Sequence, residues 1–240
     1  MADMETNTDT TPGKVAADGS EADVAVETDE GSGGGREAIA GGIMVGLTVL
    51  AALLLRWRSG PNFIDTWGSS LVHPAPHNST WVHITQIRST SFLVAGSILA
   101  AVVVIARDRW RALACLITPT LAVLLTEYFL KPVIARRYEQ VLTFPSGSTT
   151  VVAAVAMAWI IAVPRWIRPV VVIIGAFVVG LECMAVVALQ WHFPSDAIGG
   201  AVFGAGMVLL VDGLIHLAVG SARGRQASAT PTPAVDAPSS

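Results

Sequence analysis

Six apolar runs, at residues 38–55, 86–106, 111–130, 147–163, 169–189 and 197–218, fill most of the chain between two polar ends. A helix needs about 20 apolar residues to cross the hydrocarbon of a bilayer. Five runs meet or approach that length, and the fourth is extended by the stretch from Trp159 to Ile167. Backbone in lipid must satisfy its own hydrogen bonds, so these runs read as helices. Trp57, Trp110, Trp166 and Trp191 fall at run ends, where amphipathic rings favour headgroups. Only 14% of residues are charged, against about 25% in a soluble domain. The expectation is an all-α polytopic membrane protein with six transmembrane helices over residues 37–220. A soluble all-α bundle is disfavoured, because the runs carry few polar faces.

The ends read differently. Residues 1–36 hold half of the 18 acidic residues, have no aromatic residue and end in a glycine run. Such a segment cannot bury enough apolar surface to order itself, so a disordered acidic tail is expected. It does not read as a secretory signal, since its start is acidic and the apolar run comes late. Residues 221–240 read as a second disordered tail. Without the acidic tail the chain is net basic, but it has no dense basic face, so nucleic acid is not an expected partner. Cys115 and Cys183 lie inside apolar runs and read as packing residues.

Arg and Lys placement suggests an orientation. With both termini in the cytoplasm, nine cations fall inside and six outside, a modest positive-inside bias for a plasma-membrane protein. Parity says more. The segment after the third run (131–146) and the segment after the fifth (190–196) must share a side, which this orientation makes the outside.

Those two segments carry the suggestive chemistry. The first holds Lys131, Arg136 and Arg137, then Pro145-Ser146-Gly147-Ser148 at the start of the fourth run. Closely spaced cations suit a phosphate. A helix start presents free N–H groups to an anion, and glycine lets that anion approach closely. The second segment reads Gln190-Trp191-His192-Phe193-Pro194-Ser195-Asp196. His192 and Asp196 are four apart, so in a helical turn the carboxylate would orient the imidazole. An oriented imidazole can act as nucleophile or base.

In these motifs the chain resembles the type-2 phosphatidic acid phosphatase and vanadium haloperoxidase superfamily, in its six-span membrane branch. That family carries Lys-x6-Arg-Pro, Pro-Ser-Gly-His and Ser-Arg-x5-His-x3-Asp. The resemblance implies attack by the third-motif His on phosphorus, a phosphohistidine hydrolysed by water, and proton donation by the second-motif His. Carried over, Lys131 matches the first-motif Lys, and Ser146 and Gly147 the phosphate-contacting pair. His192 matches the nucleophile and Asp196 its carboxylate. The motifs are degenerate. Tyr138-Glu139 stands for Arg-Pro, so Arg136 or Arg137 would substitute; Ser148 stands for the acid His, and Ala185-Val186 for Ser-Arg.

The resemblance implies a hydrolase of a lipid phosphate ester or anhydride, with no cofactor or metal, its cations supplying the electrostatic stabilisation. General acid help is worth roughly 10²–10⁴ in rate. Its loss at Ser148 favours a prenyl-type diphosphate, whose leaving group is less basic than a lipid alkoxide. The alternative is a catalytically impaired member that binds a phospholipid headgroup or a partner. A transporter is less favoured, lacking an obvious inverted pair of broken helices. A serine hydrolase using Ser146 lacks the G-x-S-x-G elbow. Among the ionisable groups within the apolar runs, Glu127 is four before Lys131 and Asp212 four before His216, so both are expected to pair; Glu182 has no local partner.

Overall fold

The computed structural model describes residues 20–229 apart from 59, 139 and 140. Helix α1 (Ser20–Leu55) leads into two short helices, α2 (Phe63–Ser70) and α3 (Ser79–Ile84), and a 3-10 turn at Thr85–Arg88. Then come α4 (Thr90–Ile105) and α5 (Arg109–Leu125), the latter continuing through a π-turn at Thr126–Leu130 into α6 (Lys131–Ile134). Two-residue strands β1 (Arg137–Tyr138) and β2 (Val141–Leu142) pair antiparallel before α7 (Gly147–Ala162), α8 (Arg168–Ala188) and α9 (Pro194–Ala229).

The fold is thus an all-α polytopic bundle, with a helix along each of the six apolar runs but only four or five of span length, where six transmembrane helices were expected. Four meet the length and hydropathy of a membrane span: Gly34–Leu55, Arg109–Ile134, Arg168–Ala188 and Pro194–Gln226. A fifth arises if Ser79–Arg88 and Thr90–Ile105, bent by 44°, count as one. The sixth, α7, has only 16 residues. At about 1.5 Å per residue it is shorter than the ~30 Å hydrocarbon core. It buries 12 of those 16 residues, so it is the central helix of the bundle and not a lipid-facing one. The outer helices show the opposite pattern. Ile39, Leu50, Leu54, Val102, Ile173 and Phe177 all lie exposed, an apolar exterior that suits lipid.

Residues 1–19 and 230–240, the outer parts of the two expected tails, lie outside the described residues. Helix nevertheless reaches inward parts of both segments, starting at Ser20 and running to Ala229. Extending a helix already nucleated by a packed span costs far less than starting one.

Close packing here uses small residues, because lipid supplies little hydrophobic drive between helices. Along α1 and α9, a Cβ on Gly41 would lie 2.2 Å from the Leu210 amide nitrogen, and one on Gly213 would lie 2.3 Å from that of Ala38. Between α7 and α9 the contact is closer to the chemistry. A Cβ on Gly200 would lie 2.2 Å from the Ser146 carbonyl oxygen, and one on Gly204 would lie 2.4 Å from that of Thr150. The Thr149 and Thr150 hydroxyls donate across the seam to the carbonyls of Ala197 (3.0 Å) and Gly200 (3.2 Å). Ala100, Val104, Cys115, Ala158 and Val208 join α4, α5, α7 and α9 below, with Cys115 the packing residue expected. Gly204→Val overfills the α7–α9 seam and is expected to cost about 1–3 kcal/mol, read as a lowered Tm in detergent. An unchanged Tm would mean that the helices are not in backbone contact there.

Candidate active site

α5 and α6 end, and α7 and α9 begin, at one end of the bundle. The 3-10 turn before α4 faces them. A cavity of about 350 Å³ opens among these elements, lined by Arg88, Val123, Glu127, Lys131, Gly147, Ser148, Val151 and His192. The segments after the third and fifth runs therefore share a side, as parity requires. Lys131 lies at the end of the long α5–α6 helix, and its ammonium is 2.7 and 2.9 Å from the Glu127 carboxylate, the expected pairing. Gly147 and Ser148 open α7, whose first helical hydrogen bond runs from the Thr150 amide to the Ser146 carbonyl. The amides of the first turn thus precede the helical ladder, as at any helix start.

His192 sits in the turn between α8 and α9, its amide bonded to the Val186 carbonyl (3.3 Å). Its Nδ1 is buried without a hydrogen-bond partner among the described residues. Burial pushes the ring pKa down to about 3, with help from the Lys131 and Arg88 charges, and the Thr143 carbonyl opposes the shift only in part. The imidazole is therefore neutral at physiological pH, the state a nitrogen nucleophile requires.

Four expected site residues lie elsewhere. Arg137 is exposed on β1. Arg136 is wholly buried and pairs with Asp65 of α2 and Asp196 of α9, so it cannot reach a phosphate in the cavity. It also donates to the Ser195 hydroxyl (2.7 Å) and lies 4.6 Å from the Phe193 ring centroid. Asp65 answers it. Burial alone would raise that carboxyl, but bonds from Asn62, Ser195 and Arg136 hold it below the usual carboxylate range.

Asp196 does not orient His192. It accepts from Arg136 and from the Phe193 amide (3.1 Å). The cause is register: α9 begins at Pro194, so His192 precedes the helix and the i,i+4 geometry does not apply. Ser146 is fully buried, and its backbone amide donates to the Asp196 carbonyl (2.9 Å), tying the two segments together.

Two cavity residues were not foreseen as ligands. Arg88 donates to the Ser148 hydroxyl (3.4 Å) and stands 5.0 Å over the Trp191 ring. It supplies the second cation that Arg136 and Arg137 do not. Its only sequence signal was a positive charge on the correct side, just inside the start of an apolar run. Glu127 is the other, foreseen as a partner for Lys131 and not as a wall of the cavity.

At the opposite end of the bundle, Glu37, Asp212 and His216 bring ligand atoms within 4.8 Å of one another. Arg111 already sits among them, 3.0 Å from each carboxylate. His216 pairs with Asp212, as expected, and with Asp108 (2.7 Å). This is an ion-pair network with its cation in place.

The model of the PAP2 superfamily matches residues 129–216. That segment, a little over a third of the chain, is similar to the PAP2 superfamily. It contains Lys131, the start of α7 and His192, and it leaves Arg88 and Glu127 outside. No curated protein and no solved structure matches the chain. The PAP2 match supports a phosphatase-type function in general terms.

Two outcomes test this geometry. Arg136→Ala strands two buried carboxylates and should cost about 3–5 kcal/mol, whereas Arg137→Ala should shift Tm negligibly; equal shifts would show that Arg136 is not the buried hub. The His192 ring should stay neutral until the pH approaches about 3. Unfolded chain protonates this ring near pH 6.5, so its contribution to stability is full above that pH and is lost as pH falls toward 3. Histidine NMR, assigned with His192→Gln, reads the midpoint, and a value near 6.5 would place the ring in water.

Proposed function

We propose that this protein is a membrane lipid phosphatase that works through a phosphohistidine on His192. The reading rests on one observation: His192, Lys131, Arg88 and the start of α7 line a single cavity. A phosphate held there has cations on two sides and helix amides on a third. Neutral His192 attacks phosphorus, the N–P bond forms and the P–O bond to the lipid breaks. Lys131, Arg88 and the first-turn amides stabilise the charge on the equatorial oxygens, where preorganised donors act most strongly. Water then hydrolyses the phosphohistidine and frees the ring.

The substrate class is a lipid carrying a terminal phosphate or diphosphate, a prenyl diphosphate included. The cavity sits at the end of the bundle opposite Arg107, Arg109, Arg111, Arg165 and Arg168. A positive-inside arrangement then puts the site at the outer face of the plasma membrane and both termini in the cytoplasm. The second reading is a binding protein for phospholipid headgroups that turns nothing over. Ser148, standing where the family's acid stands, favours it.

Phosphate release from phosphatidate and from a prenyl diphosphate by purified protein separates the two. Catalysis predicts inhibition by vanadate, which mimics five-coordinate phosphorus, and loss of turnover in His192→Ala. Turnover that survives His192→Ala would overturn the phosphohistidine route; no turnover by the wild type on either lipid would favour the binding reading. Arg88→Ala is expected to weaken vanadate inhibition by about tenfold, the effect of losing one charge-assisted bond of roughly 1.5 kcal/mol.

A further inference from the structure

We propose that Glu127 is the leaving-group acid of this site, taking the part that Ser148 cannot play. The inference rests on the phosphohistidine reading and deepens it, because an acid brings lipid monophosphates within reach. The geometry carries it. The Glu127 carboxylate is pressed against Gly147, so closely that a Cβ on that glycine would lie 1.9 Å from Oε1. It therefore lies beside the residue preceding Ser148, at the wall of the cavity where the expected proton donor is missing. The helix turn that carries it is a π-turn, Thr126–Leu130, a distortion frequent at functional sites.

Charge balance supplies the proton. Glu127 is paired with Lys131. Lining the cavity with it are Lys131 on α6, Arg88 on the 3-10 turn, Ser148 on α7 and His192 in the turn before α9. A phosphate dianion that binds Lys131 takes the ammonium from Glu127 and sets two negative charges beside it. Anions forced so close share a proton, as paired carboxylates do. The substrate thus loads its own acid.

The step then balances. His192 Nε2 bonds to phosphorus, the P–O bond to the lipid breaks, and its electron pair takes the Glu127 proton. Glu127 is left ionised. In the second half it takes a proton from the attacking water as the new O–P bond forms and the N–P bond breaks. It passes that proton to the departing phosphate and returns to Lys131. With an acid in place, the preference for a diphosphate expected from Ser148 alone lapses.

Leaving-group dependence tests the proposal. Purified full-length protein is assayed on phosphatidate, whose alkoxide needs a proton, and on p-nitrophenyl phosphate, whose phenolate does not. Glu127→Gln should lower kcat on phosphatidate about 100-fold or more, the low end of general acid help, and on p-nitrophenyl phosphate less than about threefold. Equal losses on both substrates, a change in KM alone, no change, or a gain in rate would each overturn it; a gain would mark the carboxylate as a guard that keeps anions out. Should E127Q fail to fold, Glu127→Asp carries the same test, with a larger loss expected on phosphatidate than on the aryl ester. His192→Ala is the control: if it stays active on the aryl ester, the phosphohistidine reading fails whatever Glu127 does. If it is dead while E127Q shows equal losses, only the role of Glu127 fails.

Discussion

A single buried guanidinium holds the two working segments of this protein together. Arg136 belongs to the segment between α6 and α7, Asp196 to the start of α9, and Asp65 to the short helix α2. All three are fully buried. Taking such charges out of water is expensive, and a well-packed apolar trio could give equal stability. Direction is what the ionic arrangement adds. Arg136 has donors for Asp65, Asp196 and Ser195 at once, so it fixes where the α9 start lies relative to the α7 start. The Ser146 amide on the Asp196 carbonyl completes the clamp. His192, four residues before Asp196, inherits its position from this clamp.

Roles are therefore divided between cations that look alike in sequence. Arg136 is buried in ion pairs away from the cavity. Lys131 and Arg88 line it, one at the end of the α5–α6 helix and the other brought by the 3-10 turn before α4. Arg88 is steadied by the Ser148 hydroxyl and the Trp191 ring. Glu182 of α8 is buried and without a hydrogen-bond partner among the described residues.

Much of this was legible in the sequence, and the limits have physical causes. Hydropathy is a property of a run, so a helix along each run could be read, but four or five and not six have span length, and the short central α7 hid its burial behind a composition like that of its lipid-facing neighbours. Parity needs only a span count, so the meeting of 131–146 with 190–196 could be read as well. Helical spacing foretold the Glu127–Lys131 and Asp212–His216 pairs, because both lie inside helices. The same rule failed for His192 and Asp196, because Pro194 starts the helix between them. Arg136 was misread because its partner Asp65 is 71 residues away, in the short helix α2 outside the apolar runs. No local rule reports a contact of that range.

Glycine at 147 shows how one backbone position serves two ends. A helix start draws anions, and the absence of a side chain lets them come close. The anion nearest that start is the chain's own Glu127 carboxylate, held by Lys131. Lys131 and Arg88 line one cavity and repel one another; a tethered carboxylate relieves that repulsion. In the proposed mechanism a doubly charged phosphate competes with this carboxylate for the ammonium, and the tether keeps the carboxylate within the cavity wall. Proximity to the ligand it has just yielded to is then unavoidable. That enforced closeness is the physical condition under which a structural ion pair becomes a chemical participant.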